Sequence, residues 1–170
     1  MRKVFAVIAL AAAAGMQAPA QTPAAPPLFD RLPGRWLLTG TIDGKQTTHD
    51  VDADFVLNRG YVRLHEVSHE KDAKGAPAYE AFVYISVDPK TGQYNCLWLD
   101  NTSNAGLSNE GIGHGMPVGN TIPFLIKPAG GEVFHTTFIY DPPTDSWRWE
   151  LDGETNGRRE PFARLTLKRR

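Results

Sequence analysis

From Asp50 to Phe55 acidic and apolar side chains alternate without a slip and Leu57 continues the apolar side, so that Val51, Ala53, Phe55 and Leu57 share one face and Asp50, Asp52 and Asp54 the other. A period of two is the mark of a strand with one buried face. Unpaired carboxylates are too costly to bury, so the three aspartates define the solvent side. They make a poor calcium site, because same-face residues on a strand lie about 6.6 Å apart and cannot close around one ion without a loop. Shorter alternating segments recur along the whole chain, and no convincing helix lies between them. In the first, Trp36, Leu38, Gly40 and Ile42 share a face before an Asp43-Gly44 hairpin turn. After the acidic strand come segments at 61–69, 79–87, 93–100, 106–113, 122–127, 132–140, 147–154 and 162–168, separated by turns and loops that include 128–131, 141–146 and 155–161. Ten such segments predict an all-β domain, a single antiparallel up-and-down barrel, since closure pairs every strand edge with a neighbour.

Residues 1–20 read as an export signal. Arg2 and Lys3 precede an apolar stretch at 4–15, and Ala18-Pro19-Ala20 supplies a small-residue cleavage site, with cleavage expected after Ala20. The apolar stretch is too short to span a bilayer. Residues 21–30, rich in Pro and Ala, form an expected tether, which leaves 31–170 as the barrel and a periplasmic or secreted location. The only cysteine is Cys96, so the mature protein has neither a thiol for a lipid anchor near the cleavage point nor an internal disulfide. Stability must come from the core, and Cys96, in an apolar run, reads as part of it. Two of the 18 basic residues fall in the leader, against 19 acidic ones. A mildly acidic mature domain has no basic face with which to displace counterions, so nucleic acid is not expected as a partner.

Sites of chemistry are few. His65-Glu66-Val67-Ser68-His69 satisfies the H-E-x-x-H pattern of zinc peptidases. On a helix the two imidazoles share a face and reach one ion; on a strand they sit about 13 Å apart and do not. Tyr61, Val62, Leu64 and Val67 favour the strand, and a zinc hydrolase stands as the alternative reading. Asp100 and Glu110 form a conceivable carboxylate pair, although a strand-terminal Asp more often caps a turn. No nucleophile elbow, phosphate-binding glycine loop or cofactor motif is present, and no cofactor is expected. What remains is binding of a small, partly hydrophobic molecule. Trp36, Phe55, Tyr84, Trp98 and Trp149 are candidate walls, with Arg63, Glu66, Glu110 and His135 as candidate polar contacts. The alternative is a structural or protein-interacting barrel whose rings fill the interior. The inward faces of 61–69 and 132–140, apolar and polar on both sides, stay open.

Leu32-Pro33-Gly34-Arg35-Trp36 at the first strand, with Arg169 near the end of the last, resembles the structural signature of lipocalins and related calycin-like barrels. That resemblance implies that Gly34, Trp36 and Arg169 are structural, the Trp plugging the barrel base and the Arg stacking across it. The run from Val87 to Tyr94, then Trp98-Leu99-Asp100, Gly106 and Glu110-Gly111, looks like an uncharacterised family of secreted bacterial lipocalin-like domains, over most of the mature chain. Haem-binding nitrobindin-like barrels are more distantly similar. Here Leu37, Leu38 and Thr39 replace their alternating glycines, and the closing strand carries Arg164 and Thr166 but no axial His.

Overall fold

The computed structural model describes residues 27–102, 111–127 and 132–170. The predicted leader, the first part of the tether and Glu110 lie outside the described residues. The strands are β1 (Gly34–Ile42), β2 (Lys45–Val56), β3 (Tyr61–Ser68), β4 (Glu80–Val87), β5 (Tyr94–Asp100), β6 (Ile112–Gly115), β7 (Thr121–Ile126), β8 (Val133–Asp141), β9 (Ser146–Thr155) and β10 (Arg158–Arg169). Each pairs antiparallel with the next, and β10 returns to β1, closing the ring. The all-β, up-and-down barrel read from the alternation is the architecture of the chain.

Turn chemistry accounts for the tight links. Asp43 and Gly44 both adopt positive φ, 48° and 71°, so β1 runs into β2 through two residues whose twist suits a hairpin. Asn156 and Gly157 do the same at 53° and 75°. The expected loop at 155–161 is therefore a two-residue turn, and β10 starts four residues before the expected strand. Pro161 is absorbed by a register shift between Pro161 and Ala163. A bulge leaves room for a residue that cannot donate to the ladder. Most of the strand expected at 106–113 lies outside the described residues; among those described, β6 covers Ile112–Gly115 and runs two residues past the expected end. Gly115 lets β6 approach β7 closely, since a Cβ there would lie 1.6 Å from the Pro123 carbonyl oxygen.

Inward residues follow the alternation. Trp36 and Leu38, Val51 and Ala53, Val62 and Leu64, Val83 and Ile85, Phe124 and Phe138, Trp147 and Trp149, and Leu165 and Leu167 build the core. The acidic row of β2 faces outward and pairs across the sheet, Asp52 with Arg35, Asp54 with Arg63, and Asp50 with Arg170 and His69. Such exposed pairs add little each. On β3 the inward set is Val62, Leu64, Glu66 and Ser68, and on β8 it is Thr136, Phe138 and Tyr140.

One end of the barrel is shut. Trp36 donates its indole N–H to the Leu32 carbonyl at 2.9 Å, and the Arg169 guanidinium lies 4.0 Å above the ring. Two hydrogen bonds to Asp145, at 2.6 and 3.3 Å, and one to the Pro33 carbonyl at 3.1 Å fix that guanidinium. Those bonds from Arg169 also hold the Asp145 carboxyl below its ordinary range. Gly34 permits the stack, because its φ is +147° and a Cβ would fall 2.0 Å from Arg169 Nη1. The 3-10 turn Leu28–Arg31 completes the lid, with Phe29 packed on Phe55 at 5.6 Å and its N–H bonded to the Tyr94 hydroxyl at 3.1 Å.

Cys96 is fully enclosed on β5, and burial pushes its thiol up to about 12. Thiolate is the reactive form, so Ellman's reagent should leave the native protein unlabelled and find one thiol per chain after denaturation. Rapid labelling of the folded protein would contradict this packing.

Candidate functional site

The opposite end opens into a cavity of about 730 Å3. Trp98, Trp149, Leu151, Leu165, Phe134 and Ile126 supply its apolar wall. The two indoles lean together at 5.1 Å between centroids, and Phe138 stacks behind Trp149 at 4.6 Å. Trp98 donates its N–H to the Tyr79 hydroxyl at 3.1 Å, and the Tyr79 ring in turn stacks on His49 at 5.6 Å. Burial, with the negative charges of Glu66 and Asp100, pushes the Tyr79 phenol well above its ordinary range. It stays protonated and keeps an O–H to donate.

A polar chain runs along one side. Thr47 and His49 are two apart on β2 and share its inner face, and β2–β3 register sets His49 opposite Ser68 and Val51 opposite Glu66. His49 and Glu66 are thus diagonal neighbours on one face, within reach of each other. His49 Nδ1 meets Glu66 Oε1 in a short contact, both side chains being 2–3% exposed. His49 Nε2 lies 2.6 Å from Thr47 Oγ1, which lies 3.2 Å from Glu70 Oε2 at the rim.

Proton counting fixes the direction of this chain. Partial burial raises the Glu70 carboxyl, but hydrogen bonds from its own backbone N–H and from Thr47 outweigh that and hold it below its ordinary range. Ionised Glu70 can only accept, so Thr47 gives it its single hydroxyl proton. Thr47 Oγ1 must then accept from His49 Nε2–H. With Nε2 protonated, the Nδ1 contact to Glu66 needs a second proton, whichever atom carries it. The His49–Glu66 pair therefore has no net charge. Carboxylate, imidazole and hydroxyl stand here in the order of an acyl-transfer triad. In such a triad Nε2 is a bare acceptor for the hydroxyl proton. Here the hydroxyl proton points away to Glu70, so the chain holds a proton in place and does not activate Thr47.

Of the residues singled out from sequence, Glu66, Trp98 and Trp149 line the cavity. Asp100 borders it too, Glu110 is outside the described residues, and the others lie elsewhere. Trp36 and Phe55 belong to the closed end. Arg63 points outward, pairs with Asp54 and lies 6.0 Å from the Phe82 ring centre, and Tyr84 lines a groove on the outer surface. His135 is outward on β8 and bonds Glu154 at 2.6 Å. The reason is common to all three: strand parity sets β3, β4 and β8 so that Val62, Val83 and Thr136 go inside and their neighbours go out. The H-E-x-x-H match is split by the same parity. His65 faces outward, stacked on Phe82 and 2.7 Å from Glu80, Glu66 faces the cavity, and His69 pairs with Asp50 beyond the strand end. No group of three metal-binding side chains occurs among the described residues. Asp100 closes a turn, accepting from the N–H and hydroxyl of Thr102 at 2.8 and 2.6 Å.

Thr47, His49 and Tyr79 escaped the sequence reading. A signal for two of them was there, because extending the alternation of β2 back from Val51 puts His49 and Thr47 on the inner face. Ten antiparallel strands in one closed ring are compatible with a lipocalin-like fold. Compared with models of known protein families the chain matches none, and no curated protein matches it.

Proposed function

We propose that this chain is an exported, lipocalin-like barrel, of the kind found in the uncharacterised secreted bacterial family it resembles, that binds a small, partly hydrophobic molecule without transforming it. The cavity carries this reading. Its size is in the range of small-molecule sites, about 300–1,000 Å3, and its make-up, an aromatic and aliphatic wall with a few convergent polar groups, is that of such sites. A filled structural barrel would have no such space. The split of His65, Glu66 and His69 over two faces of a strand speaks against the zinc-hydrolase alternative. Export rests on the leader residues Arg2 and Lys3 and the Ala18-Pro19-Ala20 site.

The neutral fluorophore N-phenyl-1-naphthylamine tests the binding reading. Its emission should rise saturably with one site per chain. Leu151→Trp, which puts a large ring into the cavity from the wall, should weaken it at least about tenfold while leaving the circular dichroism unchanged. Absence of saturable binding, or equal binding by that variant, would count against the cavity as the site.

A further inference from the structure

We propose that the occupant of this cavity is a cationic amphiphile, an amine whose apolar or aromatic part lies against Trp98 and Trp149 and whose ammonium group sits at the rim among Asp43, Glu70 and Asp100; this rests on the binding reading above. Three observations converge on it. The first is the rim itself. Asp43, Glu70 and Asp100 border the opening, and among the described residues Lys45 is the one ammonium group that borders it with them. Glu70 is anchored by Thr47 at 3.2 Å, and Asp100 is oriented by Thr102 at 2.8 and 2.6 Å, so two of the three carboxylates are held in place before a ligand arrives. A low-dielectric cleft edged by one sign of charge concentrates ligands of the other.

The second is the interior. The His49–Glu66 pair carries one shared proton and no net charge, so it supplies no buried cation that would balance the rim and draw in an anion. The third is the wall. Trp98, Trp149 and Tyr79 line the same space, which suits the apolar or aromatic part of the ligand, and the negative charge on the faces of such rings disfavours a carboxylate buried beside them. A fatty acid would place its carboxylate against three others at the opening, or bury it beside a pair that has no free positive charge.

Three probes with one ring system and different heads isolate the charge: 2-(1-naphthyl)ethylamine, 2-(1-naphthyl)ethanol and 1-naphthaleneacetate, titrated calorimetrically at low salt into the full mature chain. The amine should bind at least about tenfold more tightly than the carboxylate, with the alcohol between them, and added salt should narrow the gap. In Glu70→Gln/Asp100→Asn the amine should lose its advantage over the alcohol. A carboxylate that binds as well as the amine, or an amine advantage that survives the double variant, overturns the proposal and leaves the cavity as a binding site. Failure of all three probes together with N-phenyl-1-naphthylamine removes the binding reading and this one with it. Should the double variant not fold, Glu70→Gln alone, at an exposed position, should show about half of the effect in logarithmic terms.

Discussion

Replacing Trp36 by alanine should cost the barrel about 3–5 kcal/mol, read as a lowered midpoint in urea unfolding at unchanged slope. The indole is 2% exposed and is the floor on which three other contacts rest. Its removal leaves a void where Leu32 and Leu38 pack, strips the Leu32 carbonyl of its donor, and takes the ring from beneath the Arg169 guanidinium. Domains of this size have about 5–15 kcal/mol in all, so the variant should be close to its threshold at 37 °C. Trp36→Phe separates the contributions: it keeps an aromatic face under Arg169 and loses the N–H bond, and it should cost clearly less than the alanine variant. A loss below about 1 kcal/mol in Trp36→Ala would mean that the closed end is ornament, held shut by the strands alone.

The base and the cavity differ in how far the chain advertises them. Trp36 and Arg169 are legible through the resemblance that Leu32-Pro33-Gly34-Arg35-Trp36 and the C-terminal Arg carry. Parity does the same for β1, for β2 from Val51 to Phe55 and for β10 from Ala163 to Leu167, where one face is apolar. It fails for β3, because Tyr61, Arg63, His65 and Val67 form as plausible a buried set as Val62, Leu64, Glu66 and Ser68 until the partner strands fix the register. A buried glutamate looks wrong in isolation, and only the imidazole of a neighbouring strand makes it tolerable. Tyr79 was invisible for a related reason: its place at the mouth depends on Trp98, nineteen positions away, which donates to its hydroxyl. The early start of β10 is hidden in the same way, since the bulge at Pro161 cannot be read from one strand without the other.

The buried pair gives the other large expected effect. In His49→Leu the Glu66 carboxylate, 3% exposed, loses the group that shares its proton, and stability should fall by about 3–5 kcal/mol. Glu66→Leu strands an imidazole instead and should also destabilise. In His49→Leu/Glu66→Leu both polar groups are gone and the wall beside Val51 and Leu64 becomes continuous, so most of the loss should return, because apolar replacement of a whole buried pair is often neutral or stabilising. Urea unfolding of the three variants forms a double-mutant cycle, and a coupling energy of about 2 kcal/mol or more is expected. A loss under about 1 kcal/mol in His49→Leu would mean that Glu66 draws enough water from the cavity to stand alone. If the double variant is as stable as the parent, folding has no need of these two residues. Their role would then lie in what the cavity holds, since a barrel with a leucine pair there would be equally sound and would lack the polar end against which a ligand orients.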